Sequence, residues 1–93
     1  MKLWILRPVN GLPHGDDPWE PWYDKAFGFV VRASTEEAAR ALADADAGDE
    51  NRGQYQNNTI VTFKPWLDAK YSTCEELQAE GEESVLMSDV HSA

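Results

Sequence analysis

The stretch FGFVVRASTEEAARALADADA, residues 27–47, decides the fold of this 93-residue chain. Its first seven residues alternate between the two faces of a β-strand, and one face carries Phe27, Phe29, Val31 and Ala33. The capping-box residues Ser34 and Glu37 then predict a helix from Thr35 to Ala47 that ends at Gly48. A strand followed directly by a helix predicts a helix packed on a sheet.

Alanine dominates the predicted helix, which allows its axis to lie close to a sheet. Its buried face is expected to consist of Ala38, Ala41, Leu42 and Ala45. Leu42 is the one large apolar side chain of that face, and we expect the face to pack against Phe27, Phe29 and Val31. Glu36 and Arg40 are spaced to pair along the exposed face.

The remaining segments predict three further strands at 3–6, 59–63 and 84–91. Ser72 or Thr73 is suited to cap a short helix that ends at Gly81. The order predicts one α+β domain over residues 1–93: a small, mainly antiparallel four-stranded sheet with the alanine-rich helix on one face. A long aromatic and proline-rich loop, residues 10–25, joins the first two strands.

Seventeen acidic and eight basic residues give the chain a formal net charge of −9. Residues 48–93 hold nine of the acidic side chains and three of the basic ones. No basic cluster is present, so direct binding to a nucleic acid or to an anionic membrane is not expected. The charge favours a protein partner with a basic surface, or serves solubility alone. The candidate acidic contacts are Asp49, Glu50, Glu75 and Glu76, together with Glu80, Glu82 and Glu83.

The 10–25 loop supports two interpretations. Its aromatic residues Trp19, Trp22 and Tyr23 either cover the core or anchor a binding surface. Its polar residues offer one imidazole and four carboxylates to a divalent cation, although the spacing is not that of an EF-hand: His14, Asp16, Asp17, Glu20 and Asp24.

Catalytic motifs are missing from the sequence, so we predict neither an enzyme nor a cofactor. Cys74 is the only cysteine, and the histidines His14 and His91 are distant from it in sequence. One cysteine allows no internal disulfide, and no apolar run approaches the about 20 residues of a membrane helix. These features predict a cytoplasmic protein.

Five stretches carry a resemblance: RPV at 7–9, PWEPWYDKAFGFVVRA at 18–33, AGDE at 47–50, PWLD at 65–68 and STCEEL at 72–77. Together they resemble a widespread type of short uncharacterised protein from bacteria and their phages. The resemblance implies a protein that acts by binding a host protein. The leading hypothesis is therefore a non-enzymatic acidic protein-binding module, with a phage-type inhibitor of a basic host surface as one form. The alternative is a small-molecule or divalent-metal binding domain that uses the 10–25 loop.

Overall fold

A three-stranded antiparallel sheet with one helix on one of its faces organises the chain. The computed structural model describes residues 1–22, 24–56 and 59–88. Its elements are β1 (Lys2–Pro8), β2 (Phe29–Ala33), α1 (Glu36–Ala45), β3 (Gly53–Gln56), β4 (Thr59–Thr62) and β5 (Ser72–Glu76), with short 3-10 helices at Asp49–Asn51 and Pro65–Leu67. The predicted α+β class is confirmed.

The sheet has the strand order β2-β1-β5, so β1 is central and both of its neighbours are antiparallel to it. Leu6 in β1 lies opposite Phe29 on one side and Cys74 on the other. The strand predicted at 59–63 does not join this sheet, because β4 pairs with β3 in a separate two-stranded sheet. The predicted four-stranded sheet is thus wrong in its composition.

The segment predicted as a helix beginning at Ser72 or Thr73 is instead strand β5. Central strand β1 has two edges whose backbone groups need partners, and this long-range pairing outweighs a local capping signal. Of the strand predicted at 84–91, residues 84–88 form no strand, and the rest lie outside the described residues.

Alternation along β1 separates the two faces of the sheet. Leu6 lies on the helix side in a buried cluster, where its neighbours are Trp19, Ala33, Ala39, Ala43, Phe63, Trp66 and Tyr71. Ile5 points to the opposite face and is only 2% exposed. On that face the segment 77–88 lies against the sheet: the Arg7 guanidinium donates to the carbonyl of Leu86, and Met87 lies directly over Gly28.

Helix α1 begins one residue later than predicted. The N-cap is Thr35, whose hydroxyl oxygen accepts a hydrogen bond from the N–H of Ala38 at 3.2 Å, and the helix ends at Ala45. Among the described residues no helix has the length and apolar character needed to cross a membrane.

The predicted buried face of α1 is also wrong. Ala39, Arg40 and Ala43 are buried, whereas Leu42 is 52% exposed and Ala38, Ala41 and Ala45 are exposed. Arg40 turns inward because its guanidinium donates to the carbonyl of Trp66 and to the hydroxyl and carbonyl of Ser72. It still makes the predicted pair with Glu36, with 2.9 Å between Nε and Oε2.

Candidate protein-binding surface

Trp19 belongs to the core, which decides between the two interpretations of that side chain. It is 6% exposed, its ring meets that of Trp66 edge-on at 4.9 Å, and its Nε1 donates to the carbonyl of Tyr71 at 3.2 Å. Trp22 is half-buried beneath the guanidinium of Arg52, which lies 5.7 Å from its ring centroid. Tyr23 lies outside the described residues. The predicted role of Trp19 as a contact residue is therefore wrong, because the side chain is buried in the core.

The carboxylates of the 10–25 loop fasten the loop to the rest of the domain. Asp16 accepts a hydrogen bond from the Tyr71 hydroxyl at 2.6 Å and pairs with the Lys70 ammonium at 2.6 Å. The hydrogen bond from Lys70, followed by that from Tyr71, lowers the pKa of Asp16 below its ordinary value. Asp17 accepts from the backbone N–H of Trp19 at 2.9 Å.

These contacts separate the loop's potential metal ligands. His14 lies 3.7 Å from Glu20, while Asp16 is held at Lys70 and Tyr71. Within the described ranges, no group of three or more histidine, cysteine, aspartate or glutamate side chains is placed to hold a metal ion. Among the residues that the structure describes, the geometry therefore supplies no metal site for that alternative.

Glu50 is fully buried, which corrects its prediction as a surface contact. Its carboxylate accepts hydrogen bonds from the backbone N–H of Ala26 at 3.1 and 3.2 Å and from the indole of Trp66 at 2.6 Å. Gly48 makes room for this arrangement, because a Cβ there would collide with the carbonyl of Asp24 and approach the Glu50 carboxylate at 2.9 Å. Glu50 thus ties the end of the 10–25 loop to the core.

Asp49 belongs with this structural group. It is half-buried, its N–H donates to the carbonyl of Asp24 at 2.7 Å, and its carboxylate lies 3.8 Å from Arg52. Glu75 and Glu76 lie instead in β5, at the edge of the main sheet. The predicted acidic patch is therefore divided between two different elements.

Glu75 and Glu76 are exposed and point to opposite faces of the sheet. Glu76 pairs with Lys2 at 3.2 Å and accepts from the amide of Gln78 at 3.0 Å. The hydrogen bond from Lys2, with a smaller contribution from Gln78, lowers the pKa of Glu76. Glu75 lies on the face of the sheet opposite the helix, across from Ile5.

Directly after β5 the chain adds three more exposed carboxylates, on Glu80, Glu82 and Glu83, which line one shallow groove. We call the five side chains Glu75, Glu76, Glu80, Glu82 and Glu83 the acidic edge. No basic residue occurs between the first and last of them in the sequence.

A second groove of about 450 Å³ adjoins the acidic edge. Its lining is largely apolar: Met1, Leu3, Leu77, Ala79 and Leu86, with Lys2, Glu76 and Gln78. Leu3 is 40% exposed and Leu86 is 53% exposed. Sequence patterns did not predict this groove, because it depends on segment 77–88 returning across the sheet.

Cys74 lies on the helix side of β5 and is half-buried. Burial raises the pKa of its thiol, and the positive charge of Arg40 only partly opposes that effect. A thiol with a raised pKa is a poor nucleophile near neutral pH.

Comparison with known proteins found no matching family model, no similar curated protein and no similar solved structure.

Proposed function

We propose that this protein is a non-enzymatic binding module whose acidic edge takes a basic segment of another protein. The observation that carries the proposal is that the five carboxylates are exposed and mostly lack a cationic partner in the described structure. All five are exposed within nine consecutive residues, and in the described structure only Glu76 is paired with a cation. Other acidic side chains, such as Asp16 and Glu50, are occupied by internal contacts.

Like charges held this close raise the free energy of the unbound surface, and a basic partner relieves that repulsion. The gain acts mainly on the association rate and on orientation, because complementary potentials steer the encounter. Exposed charges are screened over about 10 Å at 0.1 M salt. Association should therefore slow as salt rises.

The apolar groove supplies the second part of the contact. Leu3 and Leu86 lie partly exposed beside Glu76, so basic side chains at the acidic edge would place neighbouring apolar side chains over the groove. Burial of apolar surface slows dissociation, whereas rim charges mostly change association. The partner segment should combine lysine or arginine with aliphatic residues. Covering the basic surface of a host protein is one role that such a contact would serve.

The test begins with selection of peptides from a random displayed library on the full chain. We expect enrichment of peptides that combine lysine or arginine with aliphatic residues. Binding kinetics are then compared between wild type and the triple variant Glu80→Gln, Glu82→Gln and Glu83→Gln.

A matched control removes three other exposed carboxylates through Asp24→Asn, Glu37→Gln and Asp46→Asn. Both triple variants change the net charge equally, so a general charge effect moves them together. We expect at least a tenfold loss of association rate in the acidic-edge variant and a much smaller loss in the control. Selection of neutral or acidic peptides, or equal losses in both variants, would overturn the proposal.

A further inference from the structure

The exposed edge of β5 offers backbone groups as well as carboxylates. Hydrogen bonds at its two ends fix which residues face β1: the N–H of Leu77 donates to the carbonyl of Leu3, and the N–H of Val9 donates to the carbonyl of Tyr71, each at 2.8 Å. Alternation along an antiparallel pair then directs the backbone groups of Thr73 and Glu75 toward β1 as well.

Three residues of β5 face outward instead. The N–H of Ser72 donates to the carbonyl of Asp68 and its carbonyl accepts from Arg40, so both of its groups are satisfied. The N–H and C=O groups of Cys74 and Glu76 remain open along the edge among the described contacts. An edge with open donors and acceptors is a template for one more strand.

The charges of β5 decide which strand fits. A second copy of the chain pairing β5 with β5 through Cys74 and Glu76 would set Glu75 of one copy opposite Glu75 of the other, and like charges across strands destabilise such pairing. An extended segment with a basic residue opposite each glutamate has the complementary pattern. The apolar groove lies where β5 ends, at Leu77, so it is in line for a following aliphatic side chain.

We infer that the partner segment binds as an added β-strand along β5, pairing with the backbone of Cys74 and Glu76. This inference rests on the proposed function and gives it a binding mode. It also names the partner as an extended peptide with two consecutive basic residues, opposite Glu75 and Glu76, flanked by aliphatic residues. In such a strand every second backbone N–H faces β5, and the others face away.

The probe is an acetylated and amidated heptapeptide of arginine and valine with the arginines in consecutive pairs, Val-Arg-Arg-Val-Arg-Arg-Val, and its control has glutamate in place of every arginine. Amide hydrogen exchange of the full chain is followed with and without the probe. We expect slower exchange at Cys74 and Glu76, and no change at Val30 and Arg32. Those two amides point outward at the other edge of the sheet, on β2, where Arg32 disfavours a basic strand.

A second measurement separates strand addition from simple charge attraction. Single N-methyl groups are placed in turn along the probe, which removes one N–H each time without changing charge. Methylation should weaken binding about tenfold at alternate positions and little at the positions between them. Glu75→Gln should raise Kd about two- to fivefold, because it removes a single cross-strand pair.

The outcomes separate the two proposals. Binding that depends on Glu80, Glu82 and Glu83 but shows neither the alternating N-methyl pattern nor protection of Cys74 and Glu76 would overturn strand addition and leave the proposed function standing. Strand addition is likewise overturned, and the proposed function kept, if library-selected basic peptides bind while the arginine–valine probe does not. Failure of both kinds of basic peptide to bind would overturn the proposed function and the strand with it.

Discussion

Replacement of Glu50 by alanine should destabilise the protein by about 3–7 kcal/mol. The substitution leaves a buried N–H donor on Trp66 and a partly buried one on Ala26 without their acceptor. Each unsatisfied donor costs about 1–3 kcal/mol. The lost Cγ methylene adds about 1 kcal/mol. A 93-residue domain has about 5–14 kcal/mol of total stability, so this variant should be close to unfolding.

Glu50→Gln isolates the hydrogen-bonding part of that effect. Its side chain keeps the shape but turns an amide N–H₂ toward one of the two donors, so we expect a loss of about 1–2 kcal/mol. A double-mutant cycle of Glu50→Ala with Trp66→Phe should show coupling of about 1–2 kcal/mol, because both of these changes remove the same 2.6 Å contact. Glu37→Gln, at an exposed helix position, is the control and should change stability by less than about 0.5 kcal/mol.

These differences in stability are measured by urea unfolding followed by far-ultraviolet circular dichroism. Tryptophan fluorescence is not used, because the Trp66 variant changes the fluorescence signal itself. A Glu50→Ala loss below about 1 kcal/mol, or strictly additive effects in the cycle, would refute the role assigned to this carboxylate.

Three further predictions follow from the fold. Leu42→Ala should lower the free energy of unfolding by less than about 1 kcal/mol, because Leu42 is half-exposed. Ala43→Leu should lower it by about 1–3 kcal/mol, because the larger side chain overpacks a fully buried site. A lower melting temperature for Leu42→Ala than for Ala43→Leu would contradict the helix orientation. Because the pKa of Asp16 is lowered in the folded protein, its contribution to stability is present above the ordinary carboxyl pKa of about 4 and is lost as pH falls through the folded pKa. The difference in stability between wild type and Asp16→Asn should therefore close in acid. A difference that is independent of pH would contradict the Lys70 contact. The Cys74 thiol should react with a labelling reagent much more slowly in the folded protein than in urea. Rapid stoichiometric labelling of the folded protein would contradict its burial.

Local sequence patterns predicted secondary structure correctly where a segment's own residues determine its conformation. The alternation of Phe29, Val31 and Ala33 predicts strand β2, and the observed burial alternates in the same way. The continuous apolar run of β1 predicts a strand covered on both faces, and both Ile5 and Leu6 are buried. The helix was predicted for the same reason, because capping and composition are local signals.

The face that the helix buries could not be predicted in this way. The charged residues Glu36, Glu37, Arg40 and Asp44 share one side of α1, so hydrophobic periodicity selects the opposite side, which carries Leu42 and is exposed. Arg40 decides the orientation through acceptors on Trp66 and Ser72, which lie 26 and 32 residues away in sequence. Strand β5 was missed for a related reason: an edge strand with one face toward solvent can have the polar sequence STCEE, and only pairing with β1 reveals it.

The candidate site was predictable in part. Glu75 and Glu76 were identified from charge, and they are exposed, whereas Glu50 was assigned to the same patch and is buried. No sequence signal separates the two kinds of glutamate, because the donors of Glu50 come from Ala26, 24 residues before it, and Trp66, 16 residues after it. The apolar groove likewise depends on tertiary structure.

Net charge alone therefore says little about binding in this protein, while the partners of each carboxylate say more. Asp16 and Glu50 are held by donors within the fold, so their removal should change stability. Glu80 and Glu83 have no such donors among the described contacts, so their removal should leave the fold intact and change only what the surface attracts. If the acidic edge served solubility alone, its neutralisation and that of the control set would have equal consequences. If the acidic-edge triple variant binds more weakly than the control triple variant, which has the same net charge, then binding depends on where the carboxylates lie and not on how many there are.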